Sequence, residues 1–261
     1  MLDGILTGAF AVAAGGSPMV ATGLALAMVA LQAGIGATND LVDAPRDSGH
    51  KPGKPIPAGL VSRTAAQRVA VVAFGVGIGL ASLSGGPTAA ALALVGVAIG
   101  LAYDLRLKGT AWSWLPFAVG IPVLPVFAWL GATGHLPIAF LVLIPAAVAA
   151  GAALAIANAL VDVERDRSAG SGSIAIALGP TNAWLIHIGL LVAIGLAAVA
   201  SVGPLGGPAA GGTAVALVTL LPVGAGLAAR GGGATRRERA WELEAVGVAV
   251  LALAWLLAVR S

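Results

Sequence analysis

Cysteine is absent from the 261 residues, and with it disulfides, thiolate metal centres, iron–sulfur clusters and a cysteine nucleophile. Histidine occurs three times, at His50, His135 and His187, too scattered for a histidine metal cage. Charge is also scarce. Asp, Glu, Lys and Arg make up 10% of the chain, against about 25% in a soluble domain. So few charges cannot cover a water-exposed surface of this size, which excludes a soluble globular enzyme. Disorder is excluded for the opposite reason, because 59% of the residues are apolar and the mean hydropathy is +0.99. A net charge of +3 and a pI near 10.0 would suit nucleic acid, but the placement of the charges points to a bilayer. The composition is that of an all-α, polytopic membrane protein with no nucleic-acid partner.

What is abundant is apolar sequence in runs near the ~20 residues that a spanning helix needs. Such runs fall at 2–14, 18–38, 65–84, 88–103, 112–131, 137–161, 181–202, 209–229 and 240–259, predicting about nine transmembrane helices. The first is short for a span, which implies a clipped N-terminus or a partial crossing. No Lys or Arg precedes it, as a cleavable signal peptide would require. The connections are of two kinds. Gly15–Pro18, Ser84–Pro87, Gly131–Pro137 and Gly203–Pro208 carry no formal charge. The segments 39–64, 104–111, 162–180 and 230–244, with the adjoining Arg68, hold 13 of the 14 Lys and Arg residues, Arg260 being the exception. Charged and uncharged loops alternate, and the positive-inside rule puts the charged ones in the cytoplasm. With nine spans the N-terminus is then cytoplasmic and the C-terminus outside. The 38 glycines, with many alanines, suit close helix–helix approach in lipid.

Six of the 11 acidic residues lie in two short segments, 39–47 and 158–166, each closing an apolar run on the charged side. At ~100° per residue, Asp40, Asp43 and Asp47 fall within about 80° of one another on a helix, and Asp162 and Asp166 stack one turn apart. Five carboxylates in such an array repel one another unless cations are bound. Only oxygen donors are on offer, which selects a hard ion such as Mg²⁺ or Ca²⁺. Mg²⁺ takes few carboxylates, keeps waters and bridges to substrate phosphates. With Arg46, Lys51, Lys54, Arg106, Lys108, Arg165 and Arg167 nearby in the loops, the pattern suits a Mg²⁺–diphosphate. A merely solvated, mixed-charge loop would account for one such segment more readily than for two on the same side.

The segment Asn39-Asp40-x-x-Asp43-x-x-x-Asp47, followed by Lys54-Pro55-Ile56-Pro57-Ala58-Gly59, resembles the first signature of the UbiA superfamily of intramembrane prenyltransferases. Asn158-x-x-x-Asp162-x-x-x-Asp166-Arg167-x-x-Gly170, continuing to Leu178-Gly179, is similar to the second. Tyr103 to Lys108 stands where that family carries a Tyr/Lys element. The resemblance covers nearly the whole chain. It implies a single domain over 1–261, with signatures at 39–59 and 158–179, forming a helical bundle around a central cavity capped by cytoplasmic loops. It further implies transfer of a prenyl group from a polyprenyl diphosphate to an acceptor, often aromatic, with two Mg²⁺ ions. Carried over by position, Asp40, Asp43 and Asp47, assisted by Asn39, hold one ion; Asp162 and Asp166 hold the other. Lys54, Arg106, Lys108, Asn158 and Arg167, with Asn39, contact the diphosphate, and Tyr103 lines the pocket near the reacting carbon. Asp43, Asp162 and Tyr103 are the residues on which catalysis is expected to depend most.

The chain departs from the family pattern in two places. Ser171-Gly172-Ser173 stands where relatives often carry a basic residue and Thr, and Gly53-Lys54 replaces a common Asn-Arg or Asp-Arg, giving a point charge instead of a fork. Pro45 suits a helix loosening at the membrane edge. Trp112, Trp114, Trp184, Trp241 and Trp255 read as an interfacial belt, His50 as a solvated loop residue, Asn182 and His187 as polar groups between helices, and Arg236 to Arg239 as a topology anchor on anionic lipid. The acceptor is expected to be a quinone-precursor-like aromatic, with a glycerol phosphate, as in a lipid-ether synthase, as the alternative. A cation transporter would place ionisable groups at mid-span, where these runs carry no Asp, Glu, Lys or Arg. A non-catalytic relative of the fold is countered by the intact Asp sets.

Overall fold

The computed structural model describes residues 2–48 and 53–260, apart from the side chains of Arg46 and Arg260. His50 and Lys51 lie outside the described residues. No strand occurs among those described. The helices are α1 (Leu2–Ala13), α2 (Pro18–Asp47), α3 (Arg63–Ala102), a π-helical turn at Tyr103–Leu107, α4 (Leu115–Thr133), α5 (Phe140–Val161), α6 (Val163–Ser168), α7 (Ile174–Leu178), α8 (Pro180–Val202), α9 (Ala209–Ala229) and α10 (Ala234–Arg260).

Helix starts follow local chemistry. Ser17 Oγ accepts from the Val20 N–H at 3.3 Å and Pro18 takes the first helical position, where its missing N–H leaves no bond unmade. Ser62 Oγ caps α3 through the Ala65 N–H at 3.1 Å. Large apolar side chains such as Leu26, Val71, Leu83, Leu141, Leu196 and Leu220 are exposed, as suits faces that meet lipid. The buried positions are often alanine, including Ala27, Ala81, Ala89, Ala128 and Ala153. Without a hydrophobic force between helices in lipid, such small residues let backbones touch and gain dispersion contact.

Seven helices are long and apolar enough to cross a membrane, α3 being taken as one of them. Yet α3 doubles back. A Cβ placed on Gly23 would meet Ser84 and one on Gly34 would meet Phe74, so the first arm runs antiparallel to α2; beyond the bend Gly100 lies against Ile35. The reversal is made at Gly86, with φ 71° and ψ −167°, a conformation open essentially to glycine. It coincides with the uncharged turn expected at Ser84–Pro87. A count of nine spans therefore depends on taking α3 as two and on α1, whose 12 residues reach only about 18 Å at 1.5 Å per residue, short of the ~30 Å hydrocarbon core.

The chain divides into two compact units, residues 1–106 with 123–135, and 107–122 with 136–261. In the first, α1 and α3 pack on α2, and Gly85 comes so close to Gly131 of α4 that an added Cβ would lie 2.7 Å from its Cα. In the second, α5, α8, α9 and α10 pack together. There the tryptophans differ from the expected belt. Trp184 Nε1 donates to the Gly226 carbonyl at 3.1 Å, Trp241 Nε1 to the Leu154 carbonyl at 3.2 Å, and Trp255 Nε1 to Ser201 Oγ at 2.8 Å. Each links two helices, because an indole N–H buried in lipid-like surroundings needs an acceptor. Trp112 is exposed, as a belt residue would be.

Candidate active site

The first acidic segment is helical throughout. The apolar run stops at 38, but α2 continues through Asn39, Asp40 and Asp43 to Asp47. Pro45 does not end it: the Ser48 N–H still reaches the Ala44 carbonyl at 3.2 Å. A proline this near a helix end removes one bond and little else. The helical course places Asp40, Asp43 and Asp47 at the expected three- and four-residue spacing. Asp47 is buried, while Asn39, Asp40 and Asp43 are half-buried. Lys54, from the loop after α2, makes a direct ion pair with Asp40. That bond raises the Lys54 ammonium above its ordinary value, against a smaller opposing effect of desolvation, so it stays charged across the neutral range. Lys54 thus meets a carboxylate expected to bind metal.

The element after α3 is a π-helical turn, Tyr103–Leu107. Wide turns of this kind are frequent at functional sites. Tyr103 is half-buried, Arg106 exposed, and Asp104 buried at 4%. Burial of Asp104 was not expected from the sequence, since a lone Asp among Tyr, Leu and Arg has no spacing that marks it.

The second acidic segment straddles a break. Helix α5 ends at Val161, Asp162 sits at the junction with φ −98° and ψ 8°, and α6 begins at Val163. The Asp166 N–H bonds the Asp162 carbonyl at 2.8 Å, so the two Asp residues do stand one turn apart. Arg165 pairs with Asp162. Asn158, one turn earlier on α5, is half-buried, and Arg167 is exposed. Beneath the break, α7 places Ala175 in an apolar cluster with Ile156, Leu160, Val163 and Ala183, anchoring the segment to α5 and α8.

Ser171, where the family often has a cation, has a visible task here. Its Oγ donates to the Gly109 carbonyl at 3.2 Å, and the Gly172 N–H donates to the same oxygen at 3.0 Å. The loop carrying Lys108 is thereby tied to the chain following Asp166. A hydroxyl makes this bond with little bulk.

Two further ionisable contacts were not legible in the sequence. Arg237, expected only as a topology anchor, pairs with Glu164; this bond holds the Glu164 carboxyl below its ordinary range, with desolvation acting weakly the other way. By sequence Glu244 falls in the charged connection 230–244, but α10 begins at Ala234 and carries Glu244 inside the helix, 1% exposed. It lies 3.3 Å from His187 Nε2, at an angle short of a well-formed hydrogen bond. His187 Nδ1 lies 3.1 Å from the Ala153 carbonyl, so that nitrogen carries a proton. His187 is thus the inter-helix polar group expected. Asn182 donates to the Leu178 carbonyl at 3.1 Å.

The donors fit a hard divalent ion. They are carboxylates at one-turn spacing, and one of each set already lies beside a cation, Asp40 beside Lys54 and Asp162 beside Arg165. No three His, Cys, Asp or Glu residues group closely enough to hold an ion together among the described residues. The expected ligation of one ion by Asp40, Asp43 and Asp47 together is therefore not assembled in this structure; Mg²⁺ itself needs only one or two protein carboxylates when water and phosphate complete its shell.

A model of the UbiA prenyltransferase family matches residues 4–244. A digeranylgeranylglyceryl phosphate synthase of Methanopyrus kandleri is 42% identical over 78 residues, which is 30% of this chain and 28% of that protein. The chain therefore aligns with under a third of that relative's length. Among solved structures, the apo structure of a UbiA homolog from Aeropyrum pernix K1 superposes with a TM-score of 0.75 at 20% identity, covering 98% of this chain and 96% of the other. A UbiA homolog from Archaeoglobus fulgidus bound to GPP and Mg²⁺ gives 0.72 at 16% identity, covering 98% and 96%. At these identities the structural likeness establishes the fold.

Proposed function

Because the chain belongs to the UbiA prenyltransferase family, we propose that residues 1–261 form one intramembrane domain that transfers a prenyl group from a polyprenyl diphosphate to an acceptor and releases diphosphate. The observation that carries this reading is a device used twice: carboxylates one helical turn apart at the ends of α2 and α5, with one of each set beside a cation. Both segments, with the charged loops, belong on the cytoplasmic side.

One or two carboxylates of the set Asp40, Asp43 and Asp47, with Asn39, would serve one Mg²⁺, and Asp162 and Asp166 the other. When bound, Mg²⁺ supplies Lewis-acid neutralisation of the charge that develops on the leaving diphosphate. Lys54, Arg106, Lys108, Asn158 and Arg167 bind the diphosphate oxygens. Lys54 pairs with Asp40 in this structure, and were Asp40 to bind Mg²⁺ the Lys54 ammonium would be available to the diphosphate. Tyr103 lines the pocket beside the reacting carbon. Apolar helix walls keep water from the allylic cation, which water would otherwise capture as the alcohol, while lipid takes the place of a protein pocket around the long prenyl tail.

For the acceptor, the 78-residue match to a protein named digeranylgeranylglyceryl phosphate synthase favours a glyceryl phosphate lipid precursor over the aromatic acceptor expected first. Purified protein in nanodiscs, given geranylgeranyl diphosphate with a glyceryl phosphate ether or a hydroxybenzoate or naphthoate, with and without Mg²⁺, tests both. The expected outcome by mass spectrometry is a Mg²⁺-dependent ether product, reduced about 100-fold or more in Asp43→Ala and Asp162→Ala. A prenylated aromatic would replace the acceptor assignment. Folded protein that neither binds nor turns over prenyl diphosphate would overturn the enzyme reading.

A further inference from the structure

We infer that Arg237, in the first turns of α10, is a positioning residue that holds the second acidic segment in its metal-binding shape; this rests on the function proposed above. The need for such a residue arises at the break after α5. The last turn of a helix leaves carbonyls without intrahelical partners, and here the chain departs from α-helix at Asp162 itself. One guanidinium grips both sides of that residue. Arg237 Nη2 donates to the Val161 carbonyl at 3.3 Å and to the Glu164 carboxylate, while Nη1 donates to the Gly232 carbonyl at 2.9 Å. Val161 precedes Asp162 by one residue and Glu164 follows it by two, so the fork spans the junction. Its other arm is fixed to the loop before α10.

Three observations separate this from a solvated basic run. Arg237 is 16% exposed in its side chain, whereas Arg236, Glu238 and Arg239 are exposed. Trp241, one turn further along α10, donates to the Leu154 carbonyl seven residues before Val161. Two contacts on one face of α10 therefore set its register against one face of α5. The pairing also ties Glu164, which stands between Asp162 and Asp166 in sequence but two residues from each, so that the first turn of α6 is held to α10 from the face opposite the two Asp residues. A planar fork can hold a carbonyl and a carboxylate together; a lysine head cannot do so with the same geometry.

The test measures the Mg²⁺ concentration that half-saturates prenyl diphosphate binding to full-length protein in nanodiscs. Arg237→Gln is expected to raise it about tenfold while melting within a few degrees of wild type. Arg237→Lys should recover only part of that loss, and Glu164→Gln should give a smaller rise of about two- to fivefold. Arg239→Gln, at an exposed position two residues on, is the control that stays at the wild-type value. An unchanged Mg²⁺ half-saturation in folded Arg237→Gln overturns the inference, leaving a contact that serves stability alone. If Arg237→Gln does not fold, Glu164→Gln decides by the same criterion. Wild-type protein without Mg²⁺-dependent binding would instead remove the proposed function and this inference with it; binding in wild type with no change in the variants removes the inference only.

Discussion

His187 and Glu244 show what a single charged residue costs inside an apolar bundle. Both are almost fully buried, and Gly226 passes so near that a Cβ on it would meet His187 Nε2 at 2.9 Å and Glu244 Oε1 at 3.1 Å. His187 Nε2 and Glu244 Oε1 lie 3.3 Å apart, so each is the other's nearest polar neighbour of opposite kind across the α8–α10 packing. Removing one partner strands the other in a medium that cannot solvate it. Glu244→Ala is therefore expected to destabilise the protein by about 3–5 kcal/mol, while Glu244→Gln, which keeps size and a polar head, should cost less. Thermal melting in detergent checks this, and equal melting of all three forms would show that the pair contributes nothing.

Among the elements, α3 is the one whose course hangs on one residue. Nothing lies within 4 Å of a Cβ built on Gly86, so space does not require glycine there; backbone conformation does. Gly86→Ala places a side chain in a region that only glycine enters readily, at about 1–3 kcal/mol. Gly75→Ala is the matched control, since that Cβ also meets nothing and the residue has ordinary helical conformation; it should be neutral or slightly stabilising. A melting temperature lowered by the first and not by the second is the expected result. Equal effects would mean that the two arms of α3 hold the bend without help from residue 86.

For the whole molecule, the alternation of charged and uncharged connections makes a statement about sidedness. The chain has no cysteine, so single-cysteine reporters can be introduced on an otherwise silent background. His135→Cys, in an uncharged connection and exposed, should react with a membrane-impermeant maleimide added to intact cells; Ser168→Cys, exposed beside the second acidic segment, should react only after lysis. The reverse pattern would put the acidic segments outside and overturn the orientation proposed for the enzyme.

The sequence by itself determined the class of molecule, the approximate spans and the two acidic segments. These are properties of composition and of short-range periodicity, where a residue's own hydropathy or its three- and four-residue neighbours suffice. Even the turn at Gly86 was marked by its Gly-Gly-Pro. Three tryptophans became links between helices, Ser171 a tie to Gly109, Arg237 a grip on the α5–α6 break, and Glu244 a partner of His187. Those assignments join residues 42 to 87 positions apart. No local pattern encodes such pairs. In lipid, where apolar contact between helices brings little gain, a buried polar group is settled by whichever acceptor or donor the packed bundle brings within reach, and only the tertiary structure decides which that is.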